Sequence, residues 1–518
     1  MTGNEIRKRF LEHFASREHL VLPSAPLVPR GDPSTLFISA GMQSLQPYYQ
    51  GFSRPPAPRL ASCQKCLRTG DIDEVGKTDR HNTFFEMLGN FAPTGDYFKE
   101  TAIPLAWELV TGGFAMPAGR LRVTIHPTDD DAHEIWLKTG VPAAHITRLK
   151  DNWWGLGRGP CGPDSEIWWD RGREVGCGRE DCVPDHCDRF TEFWNLVFPQ
   201  FDQQEDGSLV PLEHPAIDTG MGLERISYIL QGKTNVFETD LLVPIIDRIR
   251  ELSDKQVTLS ERVVADHVRA ACFVMLEKIT PSNEGRGYVL RRLIRRATVH
   301  ARRLNMSSKL GALVPDVVMA MGDPYPELRE QAAALGDGIN AEEQKFQQTL
   351  QQGLEMFERI AGKHGKSIPG SEAFKLHDTF GVPIDLTREL AQERGIQVDE
   401  DGFRAAMAEQ RERSRGKGTQ HLASAKDLPR SEFTGYSELV TEVEIALLRR
   451  DSAATDVATE GDAVEVFLPR TPFYAESGGQ VGDSGTITTP SGRVRVEDTQ
   501  KPADGVIAHI GTVVTGEV

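Results

Sequence analysis

Asp218-Thr-Gly-Met-Gly-Leu-Glu-Arg225 sets a carboxylate, two glycines and an arginine at the start of an apolar helical pattern formed by Leu223, Ile226 and Leu230. Gly220 and Gly222 let the backbone turn tightly and let another molecule come close to it. A carboxylate there can meet a cationic group, and an arginine there can grip phosphate oxygens. A second stretch, Ser62-Cys-Gln-Lys-Cys-Leu-Arg68-Thr-Gly-Asp71, is followed by a polar loop and by Arg80-His81-Asn-Thr-Phe84-Phe-Glu-Met. It reads as strand, charged loop, strand. Such a pair can hold Arg68 over an α-phosphate while Phe84 on the return strand covers a purine. Taken singly, Arg68 also reads as a surface arginine, Phe84 as a core aromatic and Asp218 as a cap of the following helix.

Two further runs concentrate tryptophan, glycine and acids. They are Asp151-Asn-Trp-Trp154-Gly with Gly159-Pro-Cys-Gly-Pro-Asp-Ser-Glu166, and Glu192-Phe-Trp-Asn195-Leu-Val197-Phe. This composition fits a small enclosed pocket better than a plain core. Between them lie Cys177, Cys182, His186 and Cys187, four soft ligands within eleven residues. Thiolate and imidazole suit tetrahedral Zn²⁺, so a zinc knuckle is one reading. The other is an exposed cysteine-rich loop, because adjacent His186 and Cys187 need a contorted turn to ligate together. Cys63 and Cys66 have no second pair in phase and read as packing.

Gly-Met-Gly-Leu-Glu-Arg225 resembles the third signature motif of class II aminoacyl-tRNA synthetases, and Arg68 with Arg80-His-Asn-Thr-Phe84 resembles the second. His81-Asn-Thr-Phe-Phe-Glu-Met-Leu-Gly-Asn-Phe91 is similar to the form found in the alanyl-tRNA synthetase family. The likeness continues in collinear order through Ser282-Asn283-Glu-Gly-Arg-Gly-Tyr, Leu376-His-Asp378-Thr-Phe-Gly and Thr471-Pro-Phe-Tyr-Ala-Glu. The resemblance implies ATP with Mg²⁺, L-alanine and tRNA(Ala) as partners. It assigns ATP contacts to Arg68, Arg80, His81, Phe84, Gly220, Gly222 and Arg225. Alanine contacts fall to Trp154, Asn195, Val197, Asp218 and Gly220, with Asp218 on the ammonium. It places Asn283 and Asp378 on either side of an acceptor-stem G·U pair. Arg68, Asp218 and Arg225 would carry the chemistry. A non-catalytic RNA-binding relative, or a ligase for another amino acid, is the alternative.

The bulk properties agree. The 518 residues carry a net charge of −17, with seven cysteines, too few and odd in number for a disulfide framework. A reducing cytoplasm is expected. No apolar run nears membrane-spanning length and the N-terminus lacks an apolar signal core, so neither membrane nor secretion is expected. Net acidity speaks against a nucleic-acid partner, yet residues 286–303 hold seven arginines and no acid. With Leu290, Leu293, Ile294 and Ala297 forming a buried stripe, Arg291, Arg292, Arg295 and Arg296 read as a basic ridge for the RNA backbone.

The elements that must position these groups read as an α+β chain. A capping box, Thr2-x-x-Glu5, opens an amphipathic helix with Ile6, Phe10 and Phe14 on one face. Residues 1–240 mix strands and helices, which the resemblance reads as an antiparallel sheet flanked by helices. Residues 241–425 are dominated by helical periodicity, with a polar linker at 412–430. From 440 to 518 the pattern alternates, with Pro490-Ser-Gly492 as a hairpin turn, and resembles the start of the family's editing barrel. No His-x-x-x-His occurs, so an editing centre of the family's kind is not expected, nor an oligomer, and the barrel is expected to be incomplete.

Overall fold

The computed structural model describes the chain except residues 30–34, 156, 158, 393, 420–427, 436–437, 439, 451–452, 476–481 and 504, and omits the side chains of 385, 410–419 and 503. The chain forms two compact units, residues 1–363 with 376–394, and residues 364–375 with 395–518. The boundaries expected near 240 and 425–440 do not coincide with that division. The expected linker overlaps a helix, Glu400–Thr419, and otherwise lies mostly outside the described residues.

The first unit is built on one large sheet. Its main path contains β1 (Leu20–Leu22), β2 (Leu60–Leu67), β3 (Phe84–Ala92), β4 (Leu121–Ile125), β5 (Ile146–Arg148), β6 (Gly159–Asp170), β7 (Phe190–Val197) and β8 (Ile217–Gly222). The spatial order is β1-β2-β3-β8-β7-β6-β4-β5. The outermost pairs, β1 with β2 and β4 with β5, are parallel, and every pair between them is antiparallel.

Helices cover one face of this sheet. α1 (Gly3–Ala15) starts at the expected capping box and buries Ile6, Phe10 and Phe14. α2 (Leu223–Leu230) follows β8 directly and buries Leu223 and Ile226. α3 (Thr258–Leu276) and α4 (Gly285–Arg303) come next. They share a single apolar core with the sheet, in which Leu88, Ile226, Val264, Phe273, Leu290 and Leu293 all participate. The helices up to α4 therefore belong to the core of the sheet. In the second unit, six strands between residues 447 and 516 form an antiparallel sheet, and residues 485–488 and 492–496 make the hairpin around Ser491.

Strand alternation separates two neighbouring rings. Phe84 is fully buried and stacks on Phe273 of α3, with ring centroids 3.9 Å apart and planes 6° apart. Phe85 points to the opposite face and is half-buried. Truncating the two should therefore have different costs. Phe84→Ala should destabilise the first unit by about 3–5 kcal/mol, and Phe85→Ala by about 1 kcal/mol. Denaturant midpoints of the two variants check this, and equal losses would contradict the assignment of faces.

Candidate active site

Side chains directly opposite one another on paired strands share a face. Asp218 opposes Val197 and Gly220 opposes Asn195. Val197 and Asn195 in turn oppose Asp164 and Glu166. On the other side of β8, Gly222 opposes Met87. One face of the sheet thus gathers Phe85, Met87, Asp218, Gly220, Gly222, Asn195, Val197, Asp164 and Glu166.

Above this face lies a cleft whose walls include Arg68, Arg80, Phe85, Met87, Gly220, Gly222 and Arg225. Arg68 sits at the end of β2, with Nε donating to the Ser39 carbonyl at 3.2 Å and its guanidinium 4.9 Å from the Phe85 ring centre. Arg225 lies in the first turn of α2, and its Nη1 donates to Glu192 Oε2 at 2.5 Å. Arg80 Nη1 is 3.4 Å from Asp188 Oδ1, and His81 Nδ1 is 2.9 Å from Thr78 Oγ1. Three guanidiniums over one cleft make a site for a polyanion. Gly220 forms part of its floor: a Cβ there would lie 2.7 Å from Met87 Sδ.

Phe84 does not belong to this site. Its ring is committed to Phe273 on the helix side, while Phe85 lines the cleft beneath Arg68. Two adjacent phenylalanines in a strand necessarily face opposite ways, and a one-residue offset selects the wrong ring. Phe85, Met87, Asp71 and Glu192 are cleft residues to which sequence reading gave no role. Counting alternation from Gly220 and Gly222 across to β3 was the available signal.

Asp218 belongs to β8, and the following helix is capped at Gly222, so the capping alternative does not apply. The residue is 6% exposed, and its carboxylate has no ion pair among the described residues. Burial raises its pKa to about 7. Beside it, Asn195 Nδ2 donates to Asp164 Oδ2 at 3.1 Å, while Asn195 Oδ1 is buried without a partner. Asn152 Nδ2 bridges Asp164 Oδ1 at 2.8 Å and Glu166 Oε2 at 3.0 Å. Burial raises Asp164 to about 6, and burial with Glu192 and Asp164 nearby raises Glu166 to about 8. Trp154 packs beside Met42, Tyr49, Phe91 and Ala216. These groups form an acidic cluster in which Asp218 has no ion pair among the described residues.

The four ligand atoms of Cys177, Cys182, His186 and Cys187 lie within 4.8 Å of one another. Cys182 Sγ is 3.2 Å from Cys187 Sγ and 3.7 Å from His186 Nδ1. The contorted turn exists: Asp185 takes a left-handed conformation with φ 67°, which allows His186 and Cys187 to converge.

The basic ridge is not a solvated face. Arg296 is 2% exposed and donates to Glu389, to the Ile72 carbonyl and to His267. Arg295 pairs with Glu342 and the Gly381 carbonyl, Arg292 with Asp73, and Arg291 with Asn283 and Glu342. The helix lacks acids because neighbouring elements supply them. Arg295 and Arg296 are therefore internal ties rather than backbone contacts. Asn283 and Asp378 are both exposed.

A sheet with this strand order, an arginine on the second strand and another at the start of the helix after β8 define a class II synthetase fold. The family described as tRNA synthetases class II (A) matches residues 5–518, and the chain belongs to it. It is 47% identical to the alanine–tRNA ligase of Acetivibrio thermocellus, across 99% of this chain and 61% of that protein. It is 46% identical to the alanine–tRNA ligase of Caldicellulosiruptor saccharolyticus, across 100% of this chain and 61% of that protein. The chain thus spans about three-fifths of the length of these relatives.

Asp218 also makes stability depend on pH. Its ordinary value of 3.8 rises to about 7 in the fold. The folded protein therefore holds the proton more tightly, and the associated stability is complete below about pH 4 and lost as pH rises to about 7. Asp218→Asn should stabilise the ligand-free protein above pH 7, by on the order of 4 kcal/mol at most, with the gain shrinking to nothing near pH 4. Thermal or denaturant unfolding between pH 4 and 8 reads this, and a pH-independent difference would contradict it.

Proposed function

We propose that this chain activates L-alanine with ATP and transfers it to tRNA(Ala). The observation that carries this reading is the buried Asp218, without an ion pair among the described residues, two residues from Gly220 on the sheet face that the arginine-lined cleft overlies. The substrate ammonium supplies the missing charge, with the free Asn195 Oδ1 as a second acceptor. Trp154, Val197 and Gly220 would bound the space for the alanine methyl group.

In the first step an alanine carboxylate oxygen attacks the α-phosphorus, and the bond to the β-phosphate oxygen breaks to release pyrophosphate. Arg68 neutralises charge gathering at the α-phosphate, Arg225 and Arg80 hold the outer phosphates, and Phe85 stacks on adenine. Little covalent chemistry falls to the protein, so position and charge dominate. The 3′-terminal hydroxyl of the tRNA then attacks the alanyl carbonyl and displaces AMP. Mg²⁺ shields phosphate charge when bound, and Asp71 and Glu192 on the cleft wall are the oxygen donors that fit it. Zn²⁺ suits the Cys177, Cys182, His186 and Cys187 cluster as a structural metal.

Asn283 and Asp378 would read the acceptor-stem pair, with Arg291 and Arg292 at the edge of that surface. No described helix is long and apolar enough to cross a membrane. The seven cysteines form no disulfide and fit a reducing cytoplasm.

Pyrophosphate exchange across all twenty amino acids tests the reading. Alanine should support the fastest exchange, and preference for another amino acid would reject alanine as the substrate. Arg68→Ala should lower kcat/KM by two orders of magnitude or more, equivalent to about 3 kcal/mol. Asp218→Asn should raise the alanine KM with ATP binding retained.

The RNA and metal assignments have separate readouts. Asn283→Ala should slow charging of a G·U tRNA while leaving exchange intact; equal loss in both would make it a structural residue. Elemental analysis should find one zinc per chain, lost in Cys182→Ser, and a metal-free wild type would reject the knuckle.

A further inference from the structure

Behind the cleft, the buried polar residues of α3 and α4 that the reaction above does not use include Asp266, His267 and Arg296, each no more than 2% exposed. Asp266 Oδ1 accepts from the Thr83 amide at 2.9 Å and from Asn82 Nδ2 at 3.2 Å. Its Oδ2 is 2.9 Å from His267 Nδ1. On the far side of the imidazole, Arg296 Nη1 lies 2.9 Å from His267 Nε2 and 3.0 Å from the Ile72 carbonyl. Arg296 Nε donates to Glu389 at 3.2 Å.

The direction of this chain is fixed. A guanidinium only donates, so His267 Nε2 must accept. Nδ1 then carries the single imidazole proton and donates it to Asp266, whose two oxygens accept throughout. Burial lowers the His267 pKa and keeps the ring neutral, as this polarity requires. Hydrogen bonds from His267 and Thr83, with Arg269 nearby, hold Asp266 ionised despite its burial.

Both ends of the relay reach the nucleotide loop. Ile72 adjoins Asp71, and Asn82 adjoins His81; Asp71, His81 and Asn82 all line the cleft. Two residues beyond Thr83 is Phe85. Arg292, one turn before Arg296 on α4, adds a grip on Asp73 Oδ1 at 2.9 Å. The same helix holds Asn283 through Arg291. One rigid element therefore touches both the loop that faces nucleotide and the segment that faces RNA.

We propose that Asp266, His267 and Arg296 are positioning residues, a buried relay of fixed hydrogen-bond polarity through which α4 sets the 68–83 loop for ATP. The proposal rests on the reading of the cleft as a nucleotide site. An apolar trio of similar volume would be as stable or more so. What the polar trio adds is orientation, because each member dictates the donor or acceptor its neighbour presents.

Reversing that polarity tests the relay in the full 518-residue chain. Asp266→Asn turns an amide N–H toward His267 Nδ1, moves the imidazole proton to Nε2 and sets it against the Arg296 donors. The ATP KM in pyrophosphate exchange should rise about tenfold, with the alanine KM within twofold of wild type. Adding Arg296→Gln supplies an acceptor to the relocated proton, and the double variant should recover most of the ATP KM. An unchanged ATP KM in Asp266→Asn, a parallel rise in both KM values, or additive loss in the double variant overturns the proposal. Where Asp266→Asn does not fold, Arg296→Gln alone decides: a selective ATP KM rise supports the relay and no rise overturns it. Equilibrium dialysis with ATP reads the loop without any amino acid. A wild type that binds ATP yet exchanges with no amino acid would sink the functional reading and leave the relay testable on ATP affinity.

Discussion

The register of strand β3 governs both faces of the large sheet. Phe84, Glu86 and Leu88 face the helices, and Phe85 and Met87 face the cleft. A slip of one residue would exchange these sets and place a carboxylate and two core side chains in the cleft. A buried ionic network behind the sheet prevents it. Glu86 pairs with Arg7 of α1 and accepts from Tyr325, and its amide donates to Glu224 of α2 at 3.1 Å. Arg269 of α3 closes the network, donating to Glu224 at 3.0 Å and to the Phe84 carbonyl at 2.7 Å. Breaking one member of such a set leaves an uncompensated buried charge, which costs far more than the set contributes when intact. Three helices thereby agree on a single position for one strand.

The two faces treat charge in opposite ways. On the helix side almost every ion has its counterion, as between Arg7 and Glu86 or between Arg269 and Glu224. On the cleft side charge is left over. Arg68 has one carbonyl and one ring as neighbours, and Asp218 has no cationic partner among the described residues. Leaving a buried carboxylate unmatched lowers the stability of the free protein at neutral pH and reserves binding energy for a cation that arrives with the substrate. The raised values of Asp218, Asp164 and Glu166 express the same deficit.

Much of this was legible in the residues. The capping box at Thr2 and Glu5 and the hairpin near Ser491 follow from local rules and sit as those rules require. The metal-ligand spacing also held a real cluster, and only the left-handed Asp185, invisible in the spacing, explains how adjacent ligands converge. Two readings failed for want of tertiary information. Phe84 and Phe85 are chemically identical, so only the pairing register of β3 with β8 decides which one reaches the cleft. The arginines of α4 have no acid on their own helix, so the countercharges from Asp73, Glu342 and Glu389 could not be seen from helical periodicity.

Arginine therefore plays two physical roles in this fold, and burial of the acceptors separates them. Arg296 meets acceptors from three elements and has little left to offer a ligand, so its planar fork acts as a joint. Arg68 at the end of β2 and Arg225 after Gly220 and Gly222 line one cleft, part of whose floor is the bare backbone of those glycines. Gly220 makes this explicit, since even a methyl group there would press on Met87 and intrude on the cleft. Binding capacity arises where the backbone is bare and the nearby charges are incompletely matched. Rigidity arises where the same residue type is fully engaged. The loop at 68–83 lies between the two regimes, with its outer side facing the cleft and its inner side tied to α3 and α4. Its conformation is consequently set from behind, by groups that never meet the substrate.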